Sequence, residues 1–468
     1  MLLGHEYVSE FLLRAIRLAA RHGFEAEAYY YGEVLRGMRS ARQGIHQTPT
    51  AREGELVLRL RKTTRGKTRA VEVVVSSPAD IGTAVRQGKE LIASARPNPL
   101  LYQLEPQPAD LPEERLRLQV VPKQFWDDLP TKSAAFRTIR KDAVETPGWY
   151  GAGYFLTAAH EIGAANSSGL LRYAAGCYSG FTVVATGGKR QRQLTTYAED
   201  FAKLPQEIDY RRVVAEAFVR ARLTDGLPFL EPLNGRSRIQ MDAVLSPNCV
   251  NDWIKDLTPT FCGYAVHNGE SYVSDRVRGK SRIASSCVTL RDDWQDPRGL
   301  AVPFDLEGRT RQQVILIDHG VYAGHCHDGM SAIVAGEAPT GHSGFELGTG
   351  TPDLLVLGGE DHSMEDLVVS CDRPALILTW PHYSSDMYEK EGMWTVTGHH
   401  GVFLAKGGRI VAVCPPTRIR LRTFDALRRV EMLSASQPVF DVERYPLTLP
   451  SSAVVPGIKL RNVEFLNF

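Results

Sequence analysis

The chain has 468 residues, of which 43% are hydrophobic and 23% charged, and its formal net charge is +1. This length predicts two or three domains, and the balanced charge excludes a general attraction to nucleic acid or to an anionic membrane. The seven cysteines include no Cys-x-x-Cys pair, which disfavours a disulfide framework or a cysteine-rich zinc module. No apolar run is long enough to span a bilayer, and charges interrupt the N-terminal stretch, so we expect a cytoplasmic protein.

Residues 1–223 are predicted to form an N-terminal α+β domain. Apolar residues recur on one helical face over residues 6–22, and Ser77-Pro78 is a typical start for a second helix that ends near residue 95. The β-rich runs between these helices lie at 25–33, 55–61 and 69–77. The order helix, strands, helix predicts an antiparallel sheet with covering helices.

A Pro-rich connection spans residues 96–113 within this domain, and its five prolines predict an extended surface segment. Helical patterns follow near residues 131–144 and 208–223. The next stretch, 224–237, is rich in turn residues. We therefore predict the domain boundary between residues 223 and 224.

Residues 224–468 are predicted to form a C-terminal β-rich domain. After a strand and a short helix at 247–257, this half consists mainly of short apolar runs separated by Gly, Pro and Asp. Such spacing is typical of a curled or barrel-like antiparallel sheet. The fold class predicted for the whole chain is therefore α+β.

His160-Glu161 matches the first two letters of the H-E-x-x-H zinc-protease signature. That signature needs a second histidine one helical turn later, so that both imidazoles reach the same metal ion. Residues 164 and 165 are both Ala, and the turn residues 166–169 favour a strand that enters a hairpin loop. We therefore interpret the pair as structural, and we assign turn-forming roles to Asn166 and Gly169.

His325 and His327 form a second candidate site, with Cys326 and Asp328 beside them as further chemically able ligands. On a strand, residues i and i+2 share one face, so the two histidines could bind one metal ion. Metal-dependent amidohydrolases use H-x-H in this way, but the sequence shows no clear motifs for their remaining ligands. A stand-alone metal-dependent hydrolase is one alternative, and a polar strand edge beside a turn is the other.

His399-His400 is a third histidine motif. Adjacent residues on a strand point to opposite faces, so this pair is not expected to share a metal, although one ring could line a pocket. The sequence contains no phosphate-binding P-loop and no G-x-S-x-G nucleophile elbow before a plausible helix. These absences disfavour a nucleotide hydrolase and a serine hydrolase.

Four separated stretches follow a known order. They are an Asn-Ser-x-Gly hairpin and its returning strand in 160–188, Phe-Asp-x-Glu-Gly and a strand in 302–328, the segment 352–368, and a Thr-Gly strand pair in 395–411. Together these stretches resemble the TldD/TldE family of zinc metallopeptidase complexes, whose second member is also called PmbA. The resemblance covers most of the chain.

In that family, TldD subunits carry H-E-x-x-x-H on a helix early in the second domain, and a cysteine near the C-terminus completes the zinc site. TldE subunits lack these ligands and pair with TldD in heterodimers that enclose a peptidase chamber. The corresponding helix here, at 246–257, contains no His and no Glu, and no cysteine follows Cys414. The resemblance therefore implies a TldE-like subunit that binds no zinc or other cofactor itself, with zinc expected in a TldD-like partner.

The expected substrate is a peptide or a small peptide-like amide, and no residue of this chain is assigned a catalytic role. The residues expected to line the substrate chamber are Asp305, Glu307, His325, His327, Thr397, His399 and His400. Residues 397–401 read Thr-Gly-His-His-Gly, where the family has an acidic Thr-Gly-Asp-Phe-Ser. This departure and the excess of Arg over Lys leave open a specialised subunit in natural-product, for example antibiotic, biosynthesis. A binding or scaffold protein without a catalytic complex is a further alternative.

Overall fold

The structure is a computed structural model that describes residues 2–42, 44–107, 121–188, 194–300, 302–344, 352, 354–388, 392–440 and 451–466. Its helices are α1 (His5–Arg21), α2 (Ile81–Ser94), α3 (Leu129–Glu145), α4 (Tyr210–Gly226), α5 (Pro247–Lys255), α6 (Gly263–Asn268), α7 (Gly329–Ala335), α8 (Met364–Val369) and α9 (Thr423–Leu427). Short 3-10 turns lie at Lys123–Trp126, Pro205–Glu207, Thr258–Phe261 and Asp275–Val277. Helices and sheets together confirm the predicted α+β class.

The N-terminal sheet has seven antiparallel strands among the described residues, in the order β4-β3-β1-β5-β6-β7, and β2 pairs with β1. The strands are β1 (Glu25–Ala41), β2 (Gly44–Gln47), β3 (Thr50–Thr64), β4 (Lys67–Val75), β5 (Trp149–Asn166), β6 (Leu171–Gly187) and β7 (Leu194–Ala202). An antiparallel sheet with covering helices was the sequence-based prediction, and the structure confirms it.

Both faces of this sheet are covered. Alternate residues of β1, including Ala28 and Met38, face the apolar sides of α1 to α4. The opposite face carries Tyr29 and Ile162, which pack against Phe304 from the C-terminal half of the chain. Because side chains alternate along a strand, burial of both faces explains why every residue of β5 from Phe155 to Asn166 is buried.

The Pro-rich connection is anchored on this second face. Tyr102 is buried, and its hydroxyl donates a hydrogen bond to Glu27 while its backbone oxygen accepts one from Arg61. The part of the connection at 108–113 lies outside the described residues. Residues 96–107 are thus tied to the sheet through Tyr102.

The C-terminal half of the described chain forms two open sheets. The six-stranded sheet contains β9 (Leu290–Asp292), β10 (Val314–Asp318), β11 (Val321–Tyr322), β12 (Leu355–Leu357), β20 (Gln437–Phe440) and β21 (Ser452–Val455). The nine-stranded sheet contains β8 (Arg238–Leu245), β13 (Ala375–Leu378), β14 (Pro381–Tyr388), β15 (Met393–Gly398), β16 (Val402–Lys406), β17 (Arg409–Cys414), β18 (Thr417–Arg422), β19 (Val430–Leu433) and β22 (Ile458–Leu466).

The term barrel-like describes this half too loosely. The six-stranded sheet runs β11-β10-β9-β12-β21-β20, and the nine-stranded sheet runs β14-β15-β18-β22-β8-β13-β16-β17 with β19 beside β22, so neither closes among the described strands. The pairs β12–β21 and β8–β13 are parallel. The two sheets and α5 share one apolar core. No helix in the described parts of the chain has the length and apolar character needed to cross a membrane.

Candidate functional site

A groove of about 630 Å³ lies between the N-terminal sheet and the nine-stranded sheet. One wall comes from β7 and α4, the other comes from β13, β16, β17 and α8, and the start of α5 also lines it. The apolar residues that line it include Leu223, Met364, Val368, Ile377, Phe403 and Ile410. Small-molecule and cofactor sites typically have volumes of about 300–1,000 Å³. We therefore take this groove as the candidate functional site.

Glu199, on β7, is the central polar group of the groove. The Tyr197 hydroxyl donates a hydrogen bond to Oε2 of Glu199, and Asn248, at the start of α5, donates one from Nδ2 to Oε1. Burial raises the pKa of Glu199 to about 7, although these hydrogen bonds and the charge of Arg220 oppose the shift. A carboxyl group that titrates near neutral pH within a groove is a candidate for proton transfer or ligand binding.

Replacement of Glu199 by Gln should reveal this pKa as a pH-dependent change in stability. The usual pKa is 4.5 and the folded-state pKa is about 7, so the folded protein binds the proton more tightly and loses stability as the pH rises between these values. This pKa difference corresponds to a loss of at most about 3 kcal/mol in the free energy of unfolding. Because the Glu199 residue is partly exposed, we expect a loss of about 1–2 kcal/mol. Glu199→Gln should therefore gain that much stability over the wild type at pH 8 and little below pH 5. Urea unfolding across this range measures the difference, and a pH-independent difference would contradict the assignment.

The backbone edge of β7 that borders the groove is partly covered. β7 is the last strand of its sheet, and its backbone oxygens at Tyr197 and Glu199 accept hydrogen bonds from Arg220 and Arg212 of α4. Glu216 forms ion pairs with both arginines. An edge covered in this way is poorly available to an additional strand. A ligand in the groove would therefore be contacted mainly by side chains.

Three histidines meet beside the groove. The ring centroids of His382 and His399 are 4.8 Å apart, and the Nδ1 atoms of His399 and His400 are 3.3 Å apart. Nδ1 of His400 also lies 2.8 Å from Oγ1 of Thr195, on β7. Thr379 lines the groove, and its hydroxyl group donates a hydrogen bond to the backbone oxygen of His400. The histidine cluster and the groove are therefore adjacent.

The expectation that His399 and His400 point to opposite faces of a strand was wrong. β15 ends at Gly398, so both residues lie in the turn that follows, where strand alternation does not apply. Burial lowers the pKa of both rings, that of His400 to about 3, which keeps them neutral near pH 7. Thr397, the remaining predicted chamber residue of this segment, is buried within β15.

His325 and His327 lie elsewhere, beyond the end of β11 and before α7. Their rings meet edge to face with centroids 4.7 Å apart. Nδ1 of His325 is 2.6 Å from the Tyr322 hydroxyl, and Nδ1 of His327 is 3.2 Å from Oγ of Ser331. The two residues are only 4% and 1% exposed, and burial lowers the pKa of both. This burial does not favour an open catalytic metal site at the pair.

Asp305 and Glu307 are also buried, and neither lines the groove. Asp305 accepts hydrogen bonds from the backbone N–H groups of Glu307, Arg309 and Ser343 at 2.9–3.0 Å. Glu307 accepts from Nε of Arg309 at 3.0 Å and from the backbone N–H of Gly329 at 3.2 Å. Burial raises the pKa of both carboxyl groups. Their contacts organise the surrounding loops.

Asn166 and Gly169 lie at the hairpin between β5 and β6. Oδ1 of Asn166 accepts a hydrogen bond from the backbone N–H of Ser168 at 2.8 Å, and its Nδ2 donates to the backbone oxygen of Glu105 at 2.7 Å. Gly169 has φ +92°, a conformation that favours glycine. The geometry at both positions is that of a tight turn.

His160 and Glu161 point to opposite faces of β5. Glu161 accepts hydrogen bonds from the backbone N–H groups of Leu3 and Gly4 at 2.7 and 2.8 Å, next to the start of α1. His160 is buried on the other face, and burial lowers its pKa to about 4. The two side chains are therefore engaged in separate structural contacts.

The polar centre of the groove was not predicted from the sequence. Glu199 and Asn248 are 49 positions apart, and no motif links them. The tertiary structure brings β7 against the start of α5, and the pKa of Glu199 is raised because this packing buries its carboxyl group. The sequence itself offered no signal that singles out Glu199.

Comparison with known proteins identifies related folds and a related domain. Residues 238–467 match the PmbA/TldA metallopeptidase C-terminal domain. The fold is similar to that of TldE from Thermococcus kodakarensis, with a TM-score of 0.79, 17% identity, and 98% of this chain and 100% of that chain covered. Among curated proteins, no sequence matches the chain.

Two further solved structures have the same overall fold. One is a proposed modulator of DNA gyrase from Thermotoga maritima, with a TM-score of 0.75, 16% identity, and 97% and 99% of the two chains covered. The other, also a proposed modulator of DNA gyrase, is from Bacteroides thetaiotaomicron, with a TM-score of 0.75, 15% identity and full coverage of both chains. The C-terminal part of the chain, residues 238–467, belongs to the PmbA/TldA metallopeptidase C-terminal domain family, and the fold shared along the whole chain and the ordered motifs agree with the resemblance to the TldD/TldE (PmbA) family.

Proposed function

We propose that this chain is a TldE-like subunit, without a catalytic zinc of its own, of a TldD/TldE-type metallopeptidase or amide hydrolase. The observation that carries the proposal is the composition of α5, the helix that corresponds to the zinc-binding helix of TldD subunits. It contains no His and no Glu, and the buried side chains of Cys249, Val250, Trp253 and Ile254 belong to the apolar core. These residues do not fit a catalytic zinc site, so the hydrolytic step belongs to a TldD-like partner.

The role proposed for this chain in such a complex is to bind and orient the substrate. The groove combines an apolar wall with Glu199, Asn248 and neighbouring arginines, a lining suited to a peptide or a small peptide-like amide. Because Arg212 and Arg220 cover the edge of β7, side-chain contacts are expected to outweigh main-chain pairing with an extended peptide.

A specialised subunit of natural-product biosynthesis is the second candidate. His399 and His400 stand where an acidic segment is expected and lie close to His382, and the adjacent groove has the volume of a small-molecule site. Both observations favour a small amide or conjugate over a long peptide. Biosynthetic genes on both sides of this gene would support this candidate, and only housekeeping neighbours would count against it.

Co-expression with a TldD-like protein from the same genome should give a stable hetero-complex. We expect co-elution on size-exclusion chromatography, and hydrolysis of peptide or amide substrates that neither chain performs alone. The reason is that the zinc ligands and this groove are expected on different subunits. Independent elution together with no gain in hydrolysis would overturn the proposal and favour a separate binding or scaffold role.

Two matched variants on α4 test the groove within that complex. Leu223 lines the groove and is 40% exposed, whereas Val219 is 54% exposed on the same helix and does not line it. Leu223→Trp should narrow the groove and lower hydrolysis by about tenfold or more, the effect of roughly 1.4 kcal/mol of lost transition-state binding. Val219→Trp should leave hydrolysis unchanged, and both variants should still form the complex. Equal activity of the two complexes would exclude the groove as the substrate site.

A further inference from the structure

Cys326 lies against a different group of side chains from the histidines on either side of it. Its backbone is extended and forms a β-bridge with Cys262, so neighbouring side chains alternate in direction. Ligand atoms of Asp292, Cys326 and His342 all lie within 4.8 Å of one another. The three residues are 0%, 0% and 1% exposed. The middle residue of His-Cys-His thus joins a buried Asp-Cys-His cluster.

The hydrogen bonds around this cluster orient its ligand atoms. Nδ1 of His342 lies 2.9 Å from Oγ1 of Thr340, and Oδ2 of Asp292 accepts the backbone N–H of Leu354 at 3.1 Å. Nε2 of His342 is 3.1 Å from Oδ1 of Asp292, yet it makes no hydrogen bond with any residue that the structure describes. The ring nitrogen is therefore directed into the cluster, and the opposite nitrogen has an outer hydrogen-bonding partner, as is usual for metal-binding histidines.

Charge also favours a bound cation. A carboxylate, a thiolate and a neutral imidazole carry a combined charge of –2, which a divalent ion neutralises within the buried cluster. These three ligand types are those that zinc prefers. Three protein ligands are one fewer than in closed structural zinc sites, so a water molecule or a carbonyl oxygen has to complete the shell. The competing explanation is an ion pair between protonated His342 and Asp292, with Cys326 as a buried thiol.

We propose that Asp292, Cys326 and His342 bind a divalent transition-metal ion, zinc by donor type, in a structural role. The site joins the end of β9, the segment before α7 and the loop after α7. It is separate from α5, so the ion stabilises the fold and takes no part in the proposed hydrolysis. Because the cluster is buried, the ion has to enter during folding.

The test is to express the full chain in minimal medium supplemented with cobalt, and separately with zinc. We expect about one metal ion per chain, and in the cobalt protein an intense near-ultraviolet thiolate-to-cobalt charge-transfer band. Cys326→Ser should abolish the band and lower metal content at least about tenfold. Cys371→Ser is the matched control, because Cys371 is equally buried but lies in another part of the core. It should retain both the metal and the band.

The wild-type spectrum keeps the proposal falsifiable even where Cys326→Ser folds poorly. A folded wild-type chain with no bound metal, or with metal but no thiolate band, would overturn the proposal. His325→Gln tests whether the ion binds at the neighbouring histidine pair instead. Loss of the metal in His325→Gln, together with its retention in Cys326→Ser, would place the ion at that pair and overturn the proposal. None of these readouts involves a partner protein, so they are independent of the complex assay.

Discussion

Replacement of Glu27 by Ala is expected to lower the free energy of unfolding by about 3–5 kcal/mol. Oε2 of Glu27 accepts hydrogen bonds from Arg59 at 3.1 Å and from Arg61 at 2.5 Å, and all three side chains are buried. Removal of the carboxylate leaves two buried guanidinium groups without their shared counter-charge. The Tyr102 hydroxyl, which donates to Oε1 at 2.8 Å, also loses its acceptor.

Glu72→Ala is the matched control for this prediction. Glu72 also forms an ion pair with Arg59, at 2.9 Å, but its side chain is 33% exposed. Water can therefore replace much of that interaction, and we expect a loss of about 1 kcal/mol or less. Urea unfolding of both variants at pH 7 measures the difference. Equal losses would mean that the network around Glu27 is already hydrated and that burial does not determine its contribution.

The hydrogen bonds and ion pairs around Glu27 connect the N-terminal sheet to the loop that carries Glu307. Arg61 donates to the backbone oxygen of Tyr102 at 2.6 Å, and the guanidinium of Arg309 lies 5.5 Å from the Tyr102 ring. Arg309 in turn binds Glu307. The N-terminal sheet, the connection at 96–107 and the C-terminal loops therefore share one set of contacts, and we expect Glu27→Ala to loosen all three.

This region also illustrates what the sequence could predict. The alternation in Glu-Ala-Glu-Ala at 25–28 correctly indicated a strand, because side chains alternate between the faces of a sheet. Alternation does not reveal what covers the second face. Phe304 and its neighbours cover Tyr29 on this face from about 275 residues away in the chain, and Tyr102, from the connection at 96–107, lies against Glu27. Local patterns predicted the strands, whereas the partners of Glu27 required the tertiary structure.

The candidate sites show the same limit. The motif at 397–401 identified His399 and His400, but the prediction of opposite faces failed because β15 ends at Gly398. Both histidines lie in the turn that follows, in which Gly401 has φ +80°. Similarly, the sequence indicated Cys326 as a possible ligand only because it lies between His325 and His327. Its proposed co-ligands, Asp292 and His342, lie 34 positions before it and 16 after it, in no recognisable spacing. Motif spacing identified chemically able residues but did not identify their spatial partners.

Trp253→Ala, in α5, should also cost about 3–5 kcal/mol of stability. The Trp253 indole is fully buried, lies 6.0 Å from the Trp394 ring between centroids, and donates a hydrogen bond to Oγ1 of Thr423 at 3.1 Å. Truncation creates a cavity where α5 meets the nine-stranded sheet, and it leaves the Thr423 hydroxyl without its donor. Trp253→Phe keeps an aromatic ring and should lose less, about 1–2 kcal/mol, through the missing hydrogen bond and a smaller void.

The Trp253 pair of variants also tests the role assigned to α5. If the helix only supports the fold, Trp253→Phe should retain complex formation and hydrolysis with a TldD-like partner despite its lower stability. Urea unfolding gives the stability, and rates measured well below the unfolding midpoint give the activity. A folded Trp253→Phe complex with hydrolysis reduced a hundredfold would show that α5 contributes to chemistry. It would then have to do so without the His and Glu residues of an H-E-x-x-x-H motif, since this helix contains neither.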